Sequence, residues 1–193
     1  MSAPIEPPDS STAPLTLVSR LSAWDRSASR AIAVEWPHPR WFTLPLGAVS
    51  LTANYGVLWF VIAVVPVLAA RPRGWQQSAY VGGAVLGTEL VTYGLKLAFD
   101  RRRPPEREAG PAQLIPLPRS RSFPSSHASM GMAGLLTAAA VWPAWTAPLA
   151  ALVAVLAFSR VYLRVHYLAD VLAGLVLGTA LGLLVVSLVP APR

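Results

Sequence analysis

Two long stretches of this chain carry no charge: 30 residues from Trp41 to Ala70 and 32 from Ala128 to Ser159. One helical crossing of a bilayer takes about 20 predominantly apolar residues. Composition agrees. The chain is 54% hydrophobic and 13% charged, with a mean hydropathy of +0.49, whereas soluble domains carry about 25% charged residues. Too few charges are present to cover a molecule of 193 residues in water, so the sequence points to an integral membrane protein of one domain.

Pro45 and the cluster Asn54-Tyr55-Gly56 interrupt the first uncharged stretch. A short interfacial or re-entrant piece followed by a span ending at Ala70 fits this pattern, and a single tilted helix is the alternative. Arg71-Pro72-Arg73-Gly74 makes a turn, and a second span runs from about Trp75 to Phe99, carrying Glu89 and ending at Lys96. Asp100 to Pro124 is basic, polar and rich in proline, a loop outside the hydrocarbon. The second uncharged stretch is too long for one crossing. The corner Trp142-Pro143-Ala144-Trp145 divides it into spans of roughly Ser125 to Val141 and Thr146 to Leu163. A last span covers about His166 to Val189 and stops at Pro190.

Ahead of these, Leu15 to Trp36 has helical periodicity, with Leu17, Leu21, Trp24, Ala28 and Ile32 near one face and Arg20, Arg26 and Arg30 off it. A basic amphipathic helix in the membrane interface fits, as does an ordinary helix packed on the bundle. Met1 to Pro14 lacks the basic and apolar regions of a cleavable signal peptide. The expected organisation is therefore a disordered tail (1–14), an amphipathic interfacial helix (15–40) and a membrane-embedded domain (41–193). The fold class is all-α, a bundle of five to six transmembrane helices without internal repeats. Trp36 and Trp41 fall at one side of it and Trp75, Trp142 and Trp145 at the other, as an aromatic belt places them.

The net charge of +7 comes from 15 arginines and one lysine against nine acids. Such a bias suits nucleic acid, an anionic membrane surface or a phosphorylated substrate. Because the basic residues sit beside apolar spans rather than on a soluble face, nucleic acid is the poorest of the three. Cysteine is absent, which removes disulfides, thiolate metal sites and cysteine nucleophiles.

Alternating the spans across the bilayer brings four helix ends to one side. The end of the second span offers Lys96 and the nearby Arg103, and the start of the third offers Ser125, Ser126 and His127. The end of the fourth offers Ser159 and Arg160, and the start of the fifth His166 and Asp170. Ionisable groups near membrane depth are expensive and face protein or a watery cavity. Three cations, two histidines and a carboxylate converging there suit phosphoryl transfer, whose transition state spreads negative charge over oxygens that Lys and Arg stabilise. Pro124-Ser125-Ser126-His127 opens a helix, so free N–H groups and the positive end of the dipole face an anion. His166 and Asp170 stand one helical turn apart, where a carboxylate holds the imidazole's tautomer. His127 is then left to protonate a leaving oxygen. The single lysine of the chain, Lys96, falls inside this group.

Lys96-x6-Arg103-Pro104, Pro124-Ser125-Ser126-His127 and Ser159-Arg160-x5-His166-x3-Asp170 together resemble the three-part signature of the type 2 phosphatidic acid phosphatases. The resemblance covers about residues 55 to 190, in the family's order. It implies a helical membrane bundle and metal-independent hydrolysis of lipid phosphates or diphosphates, with no cofactor. By the same analogy His166 attacks phosphorus to form a phosphohistidine, Asp170 supports it and His127 is the general acid. Lys96, Arg103, Ser125, Ser126 and Arg160 bind the phosphate. Ser126 stands where the family usually has Gly, and its backbone N–H still serves. Vanadate-dependent haloperoxidases share the signature, but they are generally larger soluble proteins.

Other polar residues read more plainly. Arg101, Arg102, Arg107, Arg119 and Arg121 suit solvent or lipid headgroups. Glu89 lies seven residues before Lys96 and either reaches the pocket or pairs structurally. A metal at His127, His166 and Asp170 lacks a compact motif and would be repelled by the adjacent cations. The expected partners are the bilayer and a membrane lipid phosphate, with a lean toward a polyprenyl one from resemblance to small bacterial members. Lipid phosphotransfer and non-enzymatic anion binding are the rival functions. Thirteen of the 16 basic residues fall on the pocket side, which by the positive-inside rule turns the site to the cytoplasm of a bacterial plasma membrane.

Overall fold

The computed structural model describes residues 16–107 and 114–192. The expected N-terminal tail and part of the basic loop lie outside the described residues. Helix α1 (Leu17–Arg30) continues through a π-helical turn at Ala31–Glu35. It is followed by α2 (Arg40–Thr52), α3 (Val57–Leu68), α4 (Gly74–Phe99), the single turn α5 (Pro104–Arg107), α6 (Ser126–Val141), α7 (Thr146–Tyr162) and α8 (Leu168–Leu188). No strand occurs among the described residues.

Five helical segments stand where five spans were expected: the α2–α3 pair, α4, α6, α7 and α8. Among the described residues, two helical stretches, Pro143–Tyr162 and Leu168–Leu188, are long and apolar enough to cross a membrane outright. The α2–α3 pair passes only as one unit and bends by 67°, with Gly56 in the left-handed region (φ 74°) at the break. The other two depart from the ideal for reasons visible in their sequences. α4 has 26 residues but carries Glu89 and Lys96. α6 has only 16, or about 24 Å at 1.5 Å per residue.

α6 is the centre of the bundle. It packs against α4, α7 and α8, and residues on all its sides, from His127 and Met130 to Ala138 and Val141, are buried. A helix without a charged residue and with alanine and glycine on several faces tolerates neighbours all round. Trp59, Val81, Val85, Met130, Leu149 and Val153 form the main core beside it. α1 has the opposite arrangement from a helix that buries its apolar stripe. Leu17 (72% exposed) and Trp24 (55%) point outward, whereas Asp25 (3%) and Ser29 are buried against the start of α8.

A candidate active site at four helix ends

The end of α7 sets the first half of the site. Its last turn is closed by Leu163 N–H to Ser159 O, and Arg164 then adopts φ 61°. This reversal lets Val165 and His166 both donate their N–H groups to Arg160 O, at 3.1 and 3.0 Å. His166 is thereby held above the α7 terminus, two residues before α8 begins. Asp170 caps α8 by accepting Tyr167 N–H on Oδ2 at 2.9 Å. The same oxygen lies 3.4 Å from His166 Nδ1 and accepts the hydroxyl of Ser122. Oδ1 of Asp170 accepts Arg101 Nη1 at 2.7 Å. One carboxylate thus caps the start of α8 and stands beside the imidazole.

On the other face of the imidazole, Arg103 Nη1 lies 3.1 Å from His166 Nε2. An arginine nitrogen is always a donor, so Nε2 carries the lone pair and Nδ1 carries the proton toward Asp170. The Arg103 guanidinium is fixed by Val165 O (2.7 Å) and Ser120 O (3.1 Å). Burial lowers the pKa of Arg103 to about 10, against the opposing pull of Asp170 and Glu106. His166 is pushed well below the ordinary histidine value, chiefly by burial and then by Arg103, Arg160, Lys96 and His127. Its imidazole is neutral at pH 7.

The remaining residues close the cavity. Lys96 Nζ donates to Arg121 O at 3.0 Å. His127 Nε2 bonds Ser50 O at 3.0 Å, which leaves Nδ1 as the ring nitrogen able to exchange a proton. Arg160 gives Nη1 to the Ser50 hydroxyl, while its buried Nε and Nη2 have no hydrogen-bond partner among the described residues. The Ser125 hydroxyl is buried and likewise unmatched. Lys96, Arg103, Ser126, His127, Arg160 and His166 line one cavity of about 310 Å³, roofed by Pro116 to Ser120. Glu89 also reaches it, and its buried Oε2 has no hydrogen-bond partner among the described residues. Of the nine residues named at the four helix ends, eight are thus gathered at one end of the bundle, whereas the ninth, Ser159, spends its hydroxyl on Leu156 O within α7. Among the described residues no three His, Cys, Asp or Glu side chains converge as a metal site.

The family model of the PAP2 superfamily matches residues 77–193, more than half of the chain. The chain belongs to the PAP2 superfamily. This PAP2 protein is similar to the decaprenylphosphoryl-5-phosphoribose phosphatase of Mycobacterium tuberculosis, at 31% identity over 130 residues, 67% of this chain and 70% of the relative. A second relative is the undecaprenyl-diphosphatase of Sulfolobus acidocaldarius, 40% identical over 76 residues, 39% of this chain and 37% of that one. Among solved structures, the transmembrane PAP2-type phosphatidylglycerolphosphate phosphatase from Bacillus subtilis superposes with a TM-score of 0.67 at 22% identity, covering 87% of this chain and 85% of that chain. LpxE of Aquifex aeolicus gives 0.70 at 21%, covering 83% and 93%. Identities this low speak for the fold alone. The PAP2 chain is a helical membrane phosphatase, as its sequence signature implied.

Four contributors escaped the sequence reading. Ser50 touches both His127 and Arg160, Ser122 and Arg101 hold Asp170, and Asp25 holds Arg101. Ser50 and Asp25 come from helices outside the PAP2 match, and only Ser122 and Arg101 stood near the motifs.

Proposed function

We propose that this protein hydrolyses a polyprenyl phosphate or diphosphate in a bacterial plasma membrane, through a phosphohistidine on His166 and without a metal. The observation that carries the reading is the imidazole's wiring. Nδ1 sits on the Asp170 side and the Nε2 lone pair meets Arg103 in the wall of a cavity that also contains Lys96 and the under-bonded Arg160. A phosphoryl group entering there takes up the open Nε and Nη2 donors of Arg160 bidentately and draws the Arg103 Nη1 donor from His166 Nε2, with Lys96 as a point charge. The Ser125 hydroxyl and the N–H groups at the start of α6 complete the cradle.

Nε2 attacks phosphorus as the bond to the lipid oxygen breaks. The leaving oxygen takes a proton from Nδ1 of protonated His127, whose other nitrogen is anchored on Ser50 O. Asp170 stabilises the positive charge that develops on His166. His127, now neutral, takes a proton from water, whose oxygen attacks the phosphohistidine and releases inorganic phosphate. Cations do the work that metal ions do in other phosphoryl-transfer sites.

The names of the relatives support a polyprenyl substrate, and the predominance of basic residues on the site's side supports a cytoplasmic orientation. Purified protein in detergent with EDTA, offered polyprenyl phosphates and diphosphates, phosphatidylglycerol phosphate and phosphatidic acid, tests the chemistry. The expected result is phosphate release that survives EDTA, is fastest with a polyprenyl lipid and vanishes in His166→Ala. Equal release by His166→Ala, or EDTA inhibition reversed by a divalent ion, overturns the mechanism. Preference for phosphatidic acid overturns the substrate.

A further inference from the structure

Helix α1 stands outside the signature, yet its buried polar face reaches the site. Asp25 Oδ1 accepts the N–H of Ala169 and Ser29 Oγ that of Leu168, both at 2.8 Å. Two of the N–H groups left open at the start of α8 are therefore satisfied from α1. The other Asp25 oxygen, Oδ2, lies 2.5 Å from Arg101 Nη2, and Arg101 Nη1 lies 2.7 Å from Asp170 Oδ1. The guanidinium between these carboxylates rests 4.3 Å above the centre of the Tyr167 ring. Burial would lower the pKa of Arg101, but Asp170 and Asp25 outweigh it and hold the pKa above the ordinary arginine value.

This geometry has one consequence for the reaction. A planar guanidinium fixed on both edges fixes the carboxylate it grips. With Oδ1 of Asp170 held by Arg101, Oδ2 is turned to Tyr167 N–H, Ser122 and His166 Nδ1. Without Asp25, the same guanidinium has a free edge and several rotamers, and Asp170 loses its fixed plane.

We propose that Asp25 and Arg101 are positioning residues for phosphoryl transfer, so that the N-terminal helix α1 is part of the active-site machinery. This rests on the reading of His166 and Asp170 given above. Asp25 acts through Arg101, and Arg101 through Asp170, with neither touching substrate.

Steady-state kinetics of the full chain in detergent, on whichever lipid phosphate it hydrolyses fastest, test the proposal. Asp25→Asn retains an oxygen acceptor for Ala169 N–H but removes the charge facing Arg101. Hydrogen bonds to charged groups contribute about 1.5–3 kcal/mol, so kcat is expected to fall about tenfold or more in Asp25→Asn while KM stays within about twofold. Asp25→Glu restores most of kcat. Arg101→Gln loses more than Asp25→Asn, and the double variant is no slower than Arg101→Gln alone because the two act in series. An unchanged kcat in Asp25→Asn, losses that multiply in the double variant, or a loss explained by a lowered unfolding temperature overturns the proposal. His166→Ala in the same series separates the two levels. If it is inactive while Asp25→Asn is normal, only this inference falls; if it is active, the underlying reading falls.

Discussion

The backbone N–H of Ser125 donates to the carbonyl oxygen of Asp170 at 3.0 Å, joining the start of α6 to the start of α8. His127 and Asp170 are therefore referenced to one another through the main chain, independently of substrate. Below that bond the two helices run in backbone contact. A Cβ on Gly174 would meet Ser125 O at 2.6 Å, and one on Gly178 would meet Ser129 O at 2.1 Å.

Gly178→Ala should accordingly force α6 and α8 apart. Overpacking of this kind costs about 1–3 kcal/mol, and the expected result is a lower unfolding temperature in detergent together with reduced activity. Gly87 on α4 has no atom within 4 Å of a would-be Cβ, so Gly87→Ala should be neutral or slightly stabilising. Equal behaviour of the two variants would contradict the close packing.

Ser122 is fully buried, gives its hydroxyl to Asp170 Oδ2 and lies 3.4 Å from His166 Nδ1. Removing a hydrogen bond to a charged group costs about 1.5–3 kcal/mol. Ser122→Ala is expected to lower kcat by about tenfold or more, with KM nearly unchanged. A change confined to KM would mean that Ser122 serves binding instead.

The pH profile follows from the direction of the His166 shift. The attacking nitrogen must be unprotonated, and burial, followed by the surrounding cations, disfavours protonation. The nucleophile therefore stays competent below the ordinary histidine pKa of about 6.5. The acid limb of kcat/KM assigned to His166 is expected below that value, and a His166 imidazole seen by NMR to titrate at or above pH 7 would reverse the sign.

Orientation can be read chemically because the chain has no cysteine. Arg119 lies exposed at the roof of the cavity and Arg71 is exposed at the opposite end of the bundle. In intact cells, an impermeant thiol reagent is expected to label Arg71→Cys and spare Arg119→Cys until the cells are opened. The reverse pattern would place the site outside the cytoplasm.

What the sequence revealed and concealed follows from contact range. His166 and Asp170 declare themselves through helical spacing, and Lys96, Arg103 and Arg160 through charge beside apolar spans. Asp25, at 145 positions from Asp170, and Ser50, at 110 from Arg160, carry no periodic signal, and their roles appear only once α1 and α2 have docked. The amphipathic pattern of α1 was legible, but not that its polar edge is the buried one. In a bilayer, apolar side chains gain as much from lipid as from a protein core, so a hydrophobic stripe does not reveal which face packs. Span lengths were read well at α7 and α8. α6 was read as closely, Ser125 to Val141 expected against Ser126–Val141 observed, because the proline-rich loop ending at Pro124 and the Trp142-Pro143 corner mark its two ends.

Trapping the intermediate tests the central claim most directly. Protein mixed briefly with a lipid carrying a radiolabelled phosphate at the scissile position, then denatured, should retain label that is stable in alkali, labile in acid and located on His166. His166→Ala should retain none, and His127→Ala should accumulate it if loss of the base slows hydrolysis more than loss of the acid slows attack. Label on another residue, or turnover with no covalent phosphate at any quench time and with His166 dispensable, would contradict the account.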